Sequence, residues 1–333
     1  MLRSIFRAVV TWILVLWIGT FRVCAQQEPK WNQYMFNDFF FNPGVAGSRQ
    51  AISTLIASRY QWVNIPENAS PRTSCLSVHA PVEFLRGGVG LLIVQDQEFF
   101  NKSTNVRLNY AYRIPLRNLN IGIGLYGGMI QTSLDGTKFK PETPNDPLLV
   151  ATNVQANAFD LGAGIHFVSK GWYANLSMNH LNQPKLKFNN TGSNLTMARN
   201  LFGSAGYQIP LNKYFRLTPS VLYKSNGSSS QLDYNVMLSL GNRLWLGAGF
   251  SQNDGVIGMF GYRMRNGVRF GYSFTQHIGE LGTLTNGSHE AFLGYDFTLK
   301  LPPKPQKRIL TPGIFKFSLN FFQFRLFLAF PIL

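Results

Sequence analysis

Segment after segment of this chain alternates apolar and polar residues, and a period of two commits a chain to β-structure. In Val106-Arg107-Leu108-Asn109-Tyr110-Ala111-Tyr112-Arg113-Ile114, the residues Val106, Leu108, Tyr110, Tyr112 and Ile114 share one face. Arg107, Asn109, Ala111 and Arg113 share the other. A soluble sandwich uses such strands with the apolar face inward. A transmembrane barrel uses them with the apolar face toward lipid and the polar face toward the lumen.

Runs bounded by turn residues predict strands at 53–62, 73–81, 87–95, 104–116, 119–131, 156–168 and 171–180. A second set falls at 198–209, 214–224, 230–241, 244–253, 255–264, 267–276 and 288–298. Most run about 9–13 residues, and a tilted strand crosses a bilayer in about 9–11. The total of fourteen is even, as bacterial outer-membrane barrels require. Connections alternate in length. Short turns follow strands 4, 6, 8, 10 and 12, and longer loops follow strands 1, 3, 5, 7 and 13, with a tight turn at Asn253-Asp254-Gly255 as an exception. Short periplasmic turns and longer extracellular loops sort in this way, and a sandwich has no reason to do so. The fold class is therefore all-β, a transmembrane antiparallel barrel of about 14 strands. Glycines such as Gly122, Gly124, Gly127, Gly128, Gly247, Gly249, Gly258 and Gly261 permit bends and close approach along a curved wall. Tyr112, Trp172, Tyr207, Phe215 and Trp245, near strand ends, suit aromatic girdles at the membrane interfaces.

The compartment comes from the first residues. Arg3 and Arg7 precede an apolar run from Ala8 to Phe21, and Val23-Cys24-Ala25 suits a signal peptidase. The run is too short to span a bilayer as a helix. Cleavage is expected after Ala25, leaving Cys75 as the lone cysteine, so neither a disulfide nor a cysteine metal cluster is expected. The domain reading is signal peptide 1–25, N-terminal periplasmic segment 26–52, barrel 53–299, and a basic, proline-containing tail with an aromatic extension at 300–333. The location is the bacterial outer membrane.

Net charge is +16. Arg86, Arg113, Arg117, Lys170, Lys213, Arg243, Arg263 and Arg265 fall at turns and strand ends, where they ring the periplasmic rim. Such a rim either contacts anionic lipid or an acidic partner, or simply stays solvated. An exported protein meets little nucleic acid, so a nucleic-acid partner is excluded. The histidines His79, His166, His180, His277 and His289 show no paired metal spacing, and no nucleophile elbow, P-loop or dinucleotide fingerprint appears. Neither a catalytic residue, nor a cofactor, nor a metal is expected, and the chain reads as non-enzymatic. A Ser, His and acid assembled from separate strands is the arrangement that a sequence cannot reveal.

After the signal comes Trp31-Asn32-Gln33-Tyr34-Met35-Phe36-Asn37-Asp38-Phe39-Phe40-Phe41-Asn42-Pro43-Gly44-Val45-Ala46-Gly47-Ser48. It resembles the opening signature of the PorP/SprF family of Bacteroidota outer-membrane proteins. Tyr60-Gln61-Trp62-Val63, Pro71-Arg72-Thr73-Ser74 and Ser77-Val78-His79-Ala80-Pro81 resemble that family's first hairpin, and Gly88-Val89-Gly90-Leu91 with Gln95-Asp96 resembles its third strand. The resemblance implies a barrel of the type IX secretion and gliding motility system. Its partners would be outer-membrane lipids, secretion components and a secreted adhesin-like protein whose export or surface retention it assists. Gln33, Tyr34, Asn37, Asn42, Pro43 and Gly47 match the motif, which either closes or plugs the periplasmic mouth or docks a partner. Asn42-Pro43 reads as a turn into the first strand. Family members usually end near Pro302-Pro303-Lys304-Pro305, whereas this chain continues, either as a membrane-surface segment or as sequence read past an ancestral end. The alternative function is a diffusion porin or specific uptake channel, with polar lumen positions Arg107, Asn109, Asn175 and Ser177 and with loop 132–155 folded inward.

Overall fold

A computed structural model describes residues 28–49, 51–65, 70–138, 152–188, 194–241, 243–252 and 254–298. The expected signal, the tail and the proline-containing part of loop 132–155 lie outside the described residues.

Fourteen antiparallel strands form a closed barrel. They are β1 (Ala51–Tyr60), β2 (Arg72–Val82), β3 (Gly87–Glu98), β4 (Asn101–Pro115), β5 (Leu119–Asp135), β6 (Asn153–Ser169) and β7 (Trp172–Asn179), followed by β8 (Asn200–Tyr207), β9 (Phe215–Ser225), β10 (Ser230–Leu240), β11 (Leu244–Ser251), β12 (Gly255–Arg263), β13 (Val268–His277) and β14 (Ser288–Thr298). Each pairs with its sequence neighbour, and β1 pairs with β14 from Ala51 opposite Thr298 to Tyr60 opposite His289. That last pairing leaves no free edge, so the backbone hydrogen bonds of the wall are satisfied within the wall itself, as lipid demands.

Alternation sets the two faces. On β4, Val106, Leu108, Tyr110 and Tyr112 point outward, with Leu108 68 % exposed, while Arg107, Asn109 and Ala111 are buried in the lumen. Ile123, Leu125 and Met129 on β5 and Leu293 on β14 continue the outward apolar band. A continuous apolar surface of this extent is stable against hydrocarbon and not against water. Tyr112, Trp172, Tyr207 and Phe215 stand outward near the short-turn end, as a girdle requires. Trp245 does not. It sits at an inward position of β11 and packs on Phe36 and Phe292 inside the lumen.

The turns β4–β5, β6–β7, β10–β11 and β12–β13 gather at one end, and the long connections β1–β2, β5–β6, β7–β8 and β13–β14 gather at the other. The connection after strand 3 departs from expectation. Gln95 to Glu98 belong to β3 and Asn101 opens β4, leaving Phe99 and Phe100 as a two-residue turn. Polar residues on both faces carry these strands past the apolar band, so composition read as a loop where pairing continued. At the long-loop end a small hairpin, Lys185–Lys187 with Asn194–Thr196, tucks Leu186 against the inward-facing Ile130 and Ala156.

Candidate functional site

The lumen contains protein. Residues 28–48, expected as a periplasmic segment, run through the interior from the long-loop half, where Glu28 and Lys30 sit, toward the start of β1. Trp31, Tyr34, Phe39, Phe40, Phe41, Val45 and Ala46 are all buried, together with Leu55, Ala57, Leu92, Phe202, Leu222 and Phe292 on the inner wall. The Phe39-Phe40-Phe41 rings pack on His79 of β2 and Phe202 of β8, and the Phe41 carbonyl accepts from Ser177 of β7. This barrel interior is packed like a soluble core, unlike a water-filled pore. The segment holds one short helix, α1 (Asp38–Phe41), and a 3-10 turn at Pro43–Val45.

Polar groups of the segment reach every side of the wall. The Asn32 and Gln33 backbone N–H groups donate to Glu290 of β14 at 2.7 and 3.0 Å, and Arg59 of β1 pairs with the same carboxylate at 3.3 Å. Asn32 Nδ2 donates to Thr275 and Ser273 of β13, while Asn235 Nδ2 of β10 donates to the Asn32 carbonyl. Tyr34 donates its hydroxyl to Ser220 of β9 at 2.9 Å, and Asn37 donates to Cys75 Sγ of β2. Asn42 donates to Asn175 of β7 and to the Ile165 carbonyl of β6, and its own Oδ1 receives the Gly44 N–H. Arg113 points inward from its place near the rim and donates to the carbonyls of Gly44, Val45 and Ala46 at 2.7–3.1 Å. Expected as a rim residue, it closes the orphan carbonyls of the 3-10 turn instead.

All six motif residues therefore lie inside the barrel. Gln33, Tyr34, Asn37 and Asn42 are each at most 5 % exposed, and Pro43 and Gly47 are buried beside them. Gly47 has φ +66°, donates its N–H to His79 Nδ1, and meets Gly88 of β3 so closely that a Cβ on Gly47 would stand 2.6 Å from the Gly88 Cα. Gly122 and Gly124 are lumen-facing and lie against the Pro43–Gly44 backbone. These two of the glycines read as barrel curvature thus make room for the segment. Gly124→Val should unseat this turn at a cost of about 1–3 kcal/mol. Faster backbone hydrogen exchange at 43–47 in an otherwise intact barrel is the expected signature.

Charged residues anchor the segment on opposite walls. Lys30 pairs with Asp254 in the β11–β12 turn and hydrogen-bonds Ser251 of β11. Burial, reinforced by Lys224, holds the Lys30 ammonium down at about 8. Glu28 meets Arg107 of β4 at 2.9 Å, Asn179 of β7 and His180, and His180 Nδ1 lies 2.8 Å from Asp160 of β6. Burial alone would raise the Glu28 carboxyl, but Arg107 and His180 outweigh it and hold it at about 2. For His180, burial is outweighed by Asp160 and Glu28, which lift the imidazolium to about 8. Because the folded value of His180 is raised, its contribution is complete below 6.5 and is lost as pH rises through about 8. Because that of Glu28 is depressed, its contribution is present above 4.5 and is lost as pH falls toward about 2. Between pH 6 and pH 9 the His180 contribution should fall by about 2 kcal/mol, while Lys30, whose value is depressed, works in the opposite direction. The difference in exchange protection at residues 28–32 between the native chain and His180→Asn should therefore shrink over that interval.

Neither Glu28 nor Lys30 stood out in the sequence, and neither did Arg59, Asp160 or Glu290. Their signal is inward parity: a charge at a lumen position of an apolar-alternating strand needs a buried counter-charge. The partners are too remote in sequence for spacing to find.

One trio has the geometry of a hydrolase triad. His277 Nε2 lies 2.7 Å from Ser288 Oγ, and His277 Nδ1 lies 2.8 Å from Asp254 Oδ1. A nucleophile has to meet substrate. Ser288 is 0 % exposed, its Oγ receives the Trp62 N–H, and Asp254 is engaged by Lys30. The trio fastens the segment to the wall. No group of described His, Cys, Asp and Glu residues is arranged to hold a metal ion.

Solved structures similar to this chain include the CymD monoaromatic hydrocarbon channel, at TM-score 0.49 and 11 % identity, covering 83 % of this chain and 95 % of that one. They also include a Pseudomonas aeruginosa FadL homologue, at TM-score 0.44 and 10 % identity, covering 81 % and 95 %. Acinetobacter baumannii Omp33 matches at TM-score 0.42 and 10 % identity, covering 74 % and 98 %. No curated protein matches the chain. The profile of the type IX secretion system membrane protein PorP/SprF matches residues 23–295, most of the chain and all of the strands but the end of β14. A closed barrel with an apolar outer band, carrying this family's sequence from the opening motif to the last strand, resides in the outer membrane, and its family and fold are those of a membrane barrel, not of an enzyme class. The chain belongs to the PorP/SprF family of type IX secretion system membrane proteins.

Proposed function

We propose that this protein is a non-enzymatic partner module of type IX secretion, one that assists export or surface retention of a secreted adhesin-like protein or links the machinery to the outer membrane. The observation that carries the reading is the filled lumen. A diffusion porin needs a continuous water path, and here the aromatic residues 31–41 occupy the interior with Lys30 and Glu28 fastened to opposite walls. A barrel so filled is better suited to presenting surfaces at its two ends than to passing solutes. On this reading Gln33, Tyr34, Asn37, Asn42, Pro43 and Gly47 serve to close the lumen. A partner would meet the long loops outside and the exposed turn residues Arg117, Lys170, Lys213, Arg243 and Arg265 inside.

The test is a mild-detergent pull-down of the tagged protein from native outer membranes. A near-stoichiometric secretion component or surface adhesin supports the reading. A barrel recovered alone under several detergents, with steady conductance from the pure protein, moves the assignment to a channel. Tyr34→Ala with Asn37→Ala then separates the roles of the motif. Steady conductance from a folded barrel indicates closure, and loss of secretion from a folded barrel that still carries no steady current indicates docking.

A further inference from the structure

The short-turn mouth contains a cavity of about 260 Å³ that the secretion reading does not use. Arg216 of β9, Arg263 of β12 and Arg269 of β13 line it, with Gln208, Phe36 and Trp245 among the other walls and Gly241 of the β10–β11 turn at its opening. Three guanidiniums converging on one cavity give it the chemistry of an anion site.

The charge balance agrees. Asp296 is shared by three guanidiniums, Arg49 at 3.3 Å, Arg263 at 3.2 Å and Arg269 at 3.1 Å. Asp38 of the luminal segment is the other carboxylate acting on Arg269 and Arg113. Arg216 has no described ion pair. Five guanidiniums (Arg49, Arg113, Arg216, Arg263, Arg269) therefore face two carboxylates (Asp38, Asp296), an excess of three positive charges. Guanidinium forks match oxyanions through paired N–H donors, and a phosphate group carries about −1.5 to −2 charge at neutral pH where a carboxylate carries one.

We propose that Arg216, Arg263 and Arg269 form a binding site for a phosphate-type oxyanion at the short-turn mouth, beside the Trp245 ring. Two sources share this chemistry, free phosphate and the phosphoryl headgroup of a membrane lipid. The apolar walls Phe36, Met237 and Leu244 suit a ligand that continues into an apolar portion.

Titration of the full-length protein in detergent at low salt with inorganic phosphate tests the site, read by calorimetry and by indole fluorescence. Saturable binding at one site is expected, with acetate much weaker. Arg216→Gln should weaken it about tenfold to a hundredfold, the range for losing a charge-assisted hydrogen bond. Arg243→Gln, in an exposed turn outside the cavity, should leave it unchanged, and Trp245→Phe should abolish the fluorescence response. Should Arg216→Gln fail to form a barrel, Arg263→Gln replaces it, since that side chain is 43 % exposed. Non-saturable binding, or equal weakening by Arg216→Gln and Arg243→Gln, overturns the proposal and leaves only the general field of the rim. Native mass spectrometry then assigns the source. A co-purifying phospholipid displaced by phosphate identifies the headgroup, and phosphate binding by lipid-free protein without such an adduct identifies the free anion.

Discussion

A barrel lacking residues 28–46 should conduct ions steadily in a planar bilayer, whereas the intact protein should carry almost no steady current. The deleted stretch contributes Trp31, Tyr34, Phe39, Phe40 and Phe41 to the lumen, and burying side chains of this size is worth about 1.5–3 kcal/mol each. The intact segment therefore leaves the lumen rarely. The wall does not need it for backbone hydrogen bonding, because β1 closes on β14 without it. Once it is gone, water reaches Arg107, Asp160, Asp233, Arg269 and Glu290, whose charges it can solvate. The deletion should accordingly lower the unfolding temperature while leaving a barrel that inserts. A deletion variant that forms an intact barrel and still passes no current would show that the remaining loops close the lumen unaided, and the segment would lose its role as the seal.

Glu290→Ala should be the most damaging single substitution in the wall. Its carboxylate accepts the N–H groups of Asn32 and Gln33 and pairs with Arg59, whose side chain is 1 % exposed. Truncation leaves a buried guanidinium and two buried N–H groups unanswered, and breaking a buried pair from one side costs about 3–5 kcal/mol. Asp254, 3.8 Å from Arg59, compensates only in part because Lys30 and His277 already occupy it. The expected outcome is a lowered unfolding temperature and intermittent current as the segment detaches near Asn32. Glu290→Gln keeps an acceptor and the same shape, so it should do less on both counts. Equal behaviour of the two variants would mean that the charge is immaterial and that packing alone seats the segment.

The motif residues show how far a linear reading reaches. Asn42-Pro43 reads as a turn, and Asn42 does cap the 3-10 turn through Gly44. The same reading put Trp245 in an interfacial girdle, because position near a strand end says nothing about which face the strand end presents. Arg113 was legible as a strand-end base, but its target, three carbonyls on a segment some 70 residues earlier, was not. Gly122 and Gly124 were legible as wall glycines, although their lumen-facing Cα atoms turned out to be the seats of Pro43 and Gly44.

Strand number, the two faces of each strand and the sorting of turns follow from the sequence by itself, because alternation and turn chemistry are local and a bilayer imposes one length on every crossing. What fills the interior was decided only by the closed fold. Closing β1 on β14 brings Arg59 beside Glu290, and curving the wall brings β4 and β7 around Glu28 and β10 and β11 around Lys30. Those charges are separated by tens to hundreds of residues in the chain. Their burial is tolerable only when each finds its opposite in space, and no local pattern encodes that meeting.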